Sequence, residues 1–193
     1  YKAETPGPMK DAKLTPRITE TAKGLWLVYA GITLSCIISY RLAGMTWFDA
    51  VCHAFTTMGL GGFSTHDESY GFFNSPLIEG VTIVFMLVAG INFATHFTAW
   101  RERSPRPYRA DPEAGMFVLV TLASSAGIAL FLWLNGVYAD FPRALRYASF
   151  NTVSIATTTG YSNTDFNLWP AFAPLWMLFL CCFASSSGST GGG

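Results

Sequence analysis

The chain has 193 residues, of which 51% are hydrophobic, 16% aromatic and 12% charged, with a formal net charge of zero. A soluble domain carries roughly 25% charged residues, so this composition, with its positive mean hydropathy, excludes an ordinary soluble globule. Zero net charge by itself says nothing about partners, and no nucleic acid is expected as one.

Residues 1–23 are polar and hold Lys2, Lys10, Lys13, Arg17 and Lys23. The first apolar stretch, 24–40, follows them, so it is no signal peptide at a chain start. Further apolar stretches run over 77–100, 115–134 and 169–184. A helix needs about 20 apolar residues to cross a hydrocarbon core of roughly 30 Å. The second and third are long enough, and the first and fourth come close with ends that can extend, so four spanning helices are expected. Glu79 lies near the edge of the second, where its carboxylate is expected to reach the headgroups. Arg101, Arg103, Arg106 and Arg109 lie between the second and third. The bias of basic residues toward the cytoplasm puts 1–23 and the linker 101–114 inside. The segments between spans one and two, and between three and four, then face outside.

Those outer segments are not solvated connectors. Residues 47–58 and 143–156 are too apolar for that and too short to span, and each reads as half a membrane helix. Thr46 followed by Asp49 resembles a capping box. Asp140 followed by Pro142 supplies a cap and a first-turn proline. Each half-helix runs into a Gly/Thr-rich stretch, as in a chain that dips into the membrane and returns. Such backbone is tolerated at depth only when buried in protein or lining a watery cavity.

The two dips are related. A shift of 98 residues places Gly62-Phe63-Ser64 on Gly160-Tyr161-Ser162, Asp67 on Asp165 and Pro76 on Pro174. Tyr40 falls on Tyr138, Ala50 on Ala148 and Gly90 on Gly188 in the same register. The expected domains are therefore two span, half-helix, loop, span repeats, 24–100 and 115–193, joined by the linker. The fold class is an all-α membrane protein of tandem helix–pore-loop–helix repeats, resembling half of a K⁺ channel-like pore.

A half-helix entering from outside turns the negative end of its dipole toward the bilayer middle. The loops after it, Gly59, Leu60, Gly61, Gly62 and Phe63 in one repeat and Thr157, Thr158, Thr159, Gly160 and Tyr161 in the other, can offer backbone carbonyls to a cation that has shed its water. The second reads as a variant of the TVGYG pattern of K⁺ filters. Phe63 and Tyr161 are expected to wedge the loops against neighbouring helices. Gly/Thr-rich turns of other purpose are the competing reading. Asp67, Glu68 and Asp165 lie just beyond the loops, either concentrating cations at the mouth or simply solvated.

The stretch after Ala184 holds Gly188, Ser189, Thr190, Gly191, Gly192 and Gly193. It has no Gly-Lys-Ser/Thr ending, so it is not a phosphate loop. A flexible tail and a deliberate break in the fourth span remain, and a break at that depth usually lines an ion path. The cysteines, Cys36, Cys52, Cys181 and Cys182, form no metal or redox spacing. His53, His66 and His96 are scattered, with His96 and Asn92 expected as polar contacts between spans. Paired ionisable groups within spans are nearly absent, so a membrane enzyme is not expected, nor a cofactor; a scaffold subunit is the other non-transport reading.

Thr57-Met-Gly-Leu-Gly-Gly-Phe-Ser64, Ala156-Thr-Thr-Thr-Gly-Tyr-Ser162 and Gly188-Ser-Thr-Gly-Gly-Gly193 together resemble the Trk/Ktr/HKT potassium transporters, on their bacterial TrkH branch. The resemblance implies four span–pore–span repeats in one polypeptide of the bacterial inner membrane, of which this chain matches the second and third. It implies K⁺ permeation through a filter to which Gly62 and Gly160 contribute, with a Na⁺-permeable or Na⁺/K⁺-coupled relative as the alternative. It implies that 188–193 gates the path from below. It also implies a lipid bilayer, the remaining repeats, a homodimer and a cytosolic nucleotide-binding, TrkA-like regulatory subunit as partners.

Overall fold

The computed structural model describes residues 18–182 and 185–192; Lys2, Lys10, Lys13, Arg17 and Gly193 lie outside them. The described residues are helical, with no strand among them. Helix α1 covers Ile18–Leu42. Its hydroxyls fold back on the helix: Ser35 Oγ donates to the Gly31 carbonyl at 2.9 Å and Ser39 Oγ to the Ser35 carbonyl at 2.8 Å. That removes the need for water along its outer face, where Leu27, Leu34 and Ile38 are exposed.

The half-helix α2 is Trp47–Met58. Its capping box forms, for Thr46 Oγ1 accepts from the Asp49 amide at 3.1 Å and donates to Asp49 Oδ2 at 2.7 Å. The second half-helix, α7, is Phe141–Ala156, two residues longer at its start than the sequence suggests. Pro142 sits in its first turn, and Asp140 has the extended backbone of a cap but makes no side-chain cap bond.

The expected second span is not one helix. Helix α3, Pro76–Ala89, and α4, Phe93–Glu102, meet at an angle of 91°. Gly90 ends α3, and Asn92 starts α4 by accepting from the Ala94 amide at 2.8 Å. His96 Nε2 crosses the break to the Val88 carbonyl at 2.9 Å. Asn92 and His96 therefore both serve the break, and the Asn92 side chain also faces Gly188 of the second repeat. A short turn, α5 (Arg106–Ala110), leads to α6, Pro112–Leu134, whose cap Asp111 accepts from the Glu113 and Ala114 amides at 3.1 and 3.2 Å. Helix α8, Phe172–Cys181, has only 10 residues. Among the described residues, two helices are long and apolar enough to cross a membrane, Thr19–Leu42 and Pro112–Leu134, or three if the bent pair is one span. Among the described residues, four uninterrupted spans are thus not formed: the expected second span bends at 90–92, and α8 ends at Cys181.

In the first repeat, Cys36, Tyr40, Met58, Tyr70 and Met86 are fully buried together with Phe150 and Tyr161 of the second. Under α6, α7 and α8 a second core holds Ile128, Leu132, Ala148, Trp169 and Met177. Glu79 joins the repeats and does not reach toward headgroups. Only 2% exposed, it takes a two-pronged contact from Arg146 on α7, Nε to Oε2 at 2.8 Å and Nη2 to Oε1 at 2.7 Å. Proximity to the half-buried Arg146 guanidinium decides its position, since a buried carboxylate needs a counter-charge.

Candidate functional site: two loops that meet

The two loops share one hydrogen-bond frame. In the first, the amides of Gly59, Leu60 and Gly61 donate to the carbonyls of Phe55, Thr57 and Thr56 at 2.9, 3.1 and 2.8 Å. In the second, Thr157, Thr158 and Thr159 donate to Val153, Ile155 and Ser154 at 2.9, 2.9 and 2.8 Å, each pair displaced by the repeat. A hydroxyl then fixes the far side: Thr56 Oγ1 donates to the Phe63 carbonyl at 2.9 Å, and Ser154 Oγ to the Tyr161 carbonyl at 2.7 Å. The amides thus face the half-helix, and the loop cannot fold over to present them.

Backbone handedness repeats as well. Leu60 and Thr158 have φ of 47° and 61°, and Gly62 and Gly160 have φ of 68° and 92°, while Gly61 and Thr159 between them are not left-handed. A left-handed conformation costs a non-glycine residue about 1–2 kcal/mol, so holding a leucine and a β-branched threonine there marks backbone whose shape is imposed by its surroundings. Gly62 and Gly160 take the same region without that cost.

The structure brings the loops together. A Cβ on Gly62 would lie 2.0 Å from the Thr159 carbonyl oxygen and 3.1 Å from the Gly160 carbonyl carbon, so only hydrogen fits. Tyr161 is fully buried against the first repeat: its hydroxyl donates to the His53 carbonyl at 3.2 Å and meets the Thr56 and Thr57 hydroxyls. Tyr40 and Tyr70 extend this chain, Tyr40 to Thr57 at 2.7 Å and Tyr70 to Tyr40 at 3.0 Å. Burial pushes the Tyr70 phenol, in the outer turn Ser69–Gly71, well above its usual pKa, so it stays a neutral donor. Tyr161 therefore has the packed surroundings a wedge needs, whereas Phe63 is 76% exposed among the described residues.

Outside the loops lies a cavity of about 690 Å³ lined by Asp67, Glu68, Gly160, Ser162, Asn163 and Asp165. The three acids thus line the same cavity as Gly160. Beneath the loops, residues 185–192 are non-helical. Thr190 Oγ1 donates to the Met58 carbonyl at 2.8 Å, and the Gly192 amide to Thr158 Oγ1 at 2.9 Å. One segment therefore touches the undersides of both loops. It also pairs with the break in the first repeat: the Ser186 amide donates to the Gly90 carbonyl at 3.1 Å and the Phe93 amide to the Gly188 carbonyl at 3.2 Å. Sequence reasoning missed this reciprocal pairing, although the match of Gly90 with Gly188 was its signal. It also missed Glu113, whose Oε2 accepts from Ser187 Oγ at 2.8 Å and from the Ser187 amide at 3.2 Å.

A family model described as TrkH, cation transport protein, matches residues 1–193. The Trk system potassium uptake protein TrkH of Halomonas elongata is 49% identical over 194 residues, covering 100% of this chain and 40% of that protein. The protein of that name from Escherichia coli (strain K12) is 43% identical over 193 residues, with the same coverage. The crystal structure of the potassium transporter TrkH from Vibrio parahaemolyticus superposes with a TM-score of 0.88 at 43% identity, covering 93% of this chain and 39% of that one. The chain thus spans about 40% of the length of the curated relatives it matches.

Proposed function

The chain belongs to the TrkH family of cation transport proteins, and from that premise we propose that it supplies two of the pore loops through which K⁺ crosses a bacterial inner membrane. The family consists of transporters, not enzymes, and the long apolar helices suit a multi-pass membrane protein. One observation carries the reading: loops with the same hydrogen-bond frame, 98 residues apart, meet at Gly62 and Thr159 with an acid-lined cavity above them. Amides tied back to the half-helices leave neutral carbonyls as the groups available to a dehydrated ion. Oxygens without formal charge suit a weakly hydrated cation that must also leave. The segment 187–193, whose described part touches both loops from below, acts as the gate. Arg103, Arg106 and Arg109 are exposed between α4 and α6, where a cytosolic nucleotide-binding regulatory subunit would approach; a homodimer completes the proposed assembly.

The test uses the full-length polypeptide in proteoliposomes. Gly160→Ser should lower the K⁺/Na⁺ flux ratio more than it lowers the amount of folded protein. An unchanged ratio, or loss of folded protein alone, means the loop is structural. Deleting 187–193 should raise K⁺ flux if the segment is a gate, and anomalous density for Rb⁺ or Tl⁺ should appear beside Gly160.

A further inference from the structure

Residues 185–192 have no helix of their own and are held by other elements. Most of those contacts are to backbone: the Ala89, Gly90 and Met58 carbonyls and the Phe93 amide. Glu113 differs, because it brings a carboxylate. One oxygen, Oε2, accepts from Ser187 Oγ at 2.8 Å, the Ser187 amide at 3.2 Å and Ser186 Oγ at 3.3 Å. Bonds to an ionised acceptor are stronger than neutral ones, and three donors converging on one oxygen fix a short stretch of chain in place. Ser186 is 4% exposed, and Glu113 and Ser187 are half-buried, so this contact is partly shielded from solvent.

Glu113 stands in the first turn of α6, at the end of the linker. Two residues earlier, Asp111 Oδ2 accepts from Thr95 Oγ1 of α4 at 2.7 Å. Helix α4 begins at the break that pairs with Gly188, where a Cβ on that glycine would meet the Asn92 side chain at 3.0 Å. Asp111 and Glu113 therefore tie both partners of that pairing, α4 and the segment, to the cytoplasmic end of α6.

We infer that Glu113 is the latch that holds the segment 185–192 in its seat under the two loops, and that it joins this seat to the linker 101–114. The inference rests on reading that segment as a gate. Glu113 is a positioning residue: it touches neither loop, and it acts on permeation through where it holds Ser186 and Ser187. A displacement of the linker moves Glu113 with α6 and withdraws the carboxylate from its three donors.

The experiment measures Tl⁺ influx and the K⁺/Na⁺ ratio in proteoliposomes of the full-length protein without a regulatory subunit. In parallel, Ser189→Cys, in a background free of other reactive thiols, reports access of a water-soluble thiol reagent. Glu113→Ala should raise influx roughly tenfold, a population shift of the size expected when charge-assisted bonds are lost. It should also speed modification of the cysteine and leave the K⁺/Na⁺ ratio unchanged; Glu113→Gln, which keeps one acceptor, should fall between. Loosened packing without a latch would lower the ratio together with any rise in influx, and that result overturns the inference. Should Glu113→Ala fail to fold, Ser187→Ala removes the nearest hydroxyl donor, and unchanged influx and modification there overturn it equally. Deletion of 187–193 separates the two readings. If deletion raises influx and the Glu113 and Ser187 variants do not, the latch is wrong and the gate stands. If deletion changes nothing, the gate reading fails and the latch with it.

Discussion

Gly62 rests on the carbonyl oxygen of Thr159, at a distance that leaves a methyl group only 2.0 Å from that oxygen. Gly160, its repeat equivalent, has no atom within 4 Å of the same position. Both glycines take a left-handed φ, 68° and 92°, but only Gly62 is needed for a close approach as well. Gly62→Ala must push the second loop aside and should reduce both folded protein and K⁺ selectivity. Gly160→Ala meets only conformational strain, about 1–2 kcal/mol, and should alter selectivity with smaller loss of protein. Gly127→Ala, in the exposed interior of α6 with nothing within 4 Å, should change neither adversely. Size-exclusion recovery and the K⁺/Na⁺ flux ratio of the three variants check this ordering.

Removal of Arg146 strands a carboxylate. Glu79 is 2% exposed and holds the guanidinium at 2.7 and 2.8 Å, with Asn74 Oδ1 adding a contact at 2.9 Å. Loss of one partner of such a pair costs about 3–5 kcal/mol. Arg146→Ala should lower the thermal midpoint substantially, and Arg146→Lys should not restore it because a single ammonium cannot reproduce the fork. The double variant Glu79→Gln with Arg146→Met should be more stable than Arg146→Ala. Equal midpoints for Arg146→Ala and the parent would show that the pair does not join the repeats.

Tyr161→Phe removes one oxygen from the Thr56, Thr57 and His53 contacts. The ring stays, packed against Tyr70 with centroids 4.6 Å apart. A stability loss of about 1–3 kcal/mol is expected from the unsatisfied buried partners. Tyr161→Leu should lose more, and Phe63→Leu should separate from both if the exposed ring finds its partner only in the full-length protein. Thermal unfolding of detergent-solubilised protein distinguishes these outcomes.

Sidedness follows from the arginine-rich linker. A cysteine at exposed Arg103 should react with an impermeant thiol reagent only from the cytoplasmic face, and one at exposed Asp67 only from the opposite face. Reaction of both from one face would overturn the two-repeat topology.

The repeat was legible because a shift of 98 residues leaves the glycines, the small residues at the half-helix ends and the second-span glycines in phase. The loops themselves were legible for the same reason, and their frame repeats bond for bond. Hydropathy could not reveal the 91° bend, since residues 77–100 stay apolar through it. The visible trace was Gly90 followed by Asn92, a helix-ending residue beside a helix-starting one. Glu79 was misplaced because its partner lies 67 residues away in another element, and no local pattern announces a pair across repeats. Glu113 was missed for the same reason, its partners lying 73 and 74 residues away. Phe63 and Tyr161 look equivalent in sequence, yet only Tyr161 has the neighbouring repeat beside it among the described residues.

The pairing of the two breaks sets a condition on any open state. While the segment is seated, Met58, Ala89 and Gly90 offer their carbonyls to Thr190 and Ser186, and Gly188 takes the Phe93 amide. Withdrawal leaves those groups bare together, and an unmade buried bond costs about 1–3 kcal/mol for each group. Only solvent can take up so many at once. For the proposed gate, opening would then be a wetting transition: water would enter where the serines and threonine were, and the passage would conduct by becoming hydrated, not merely because an obstacle has moved.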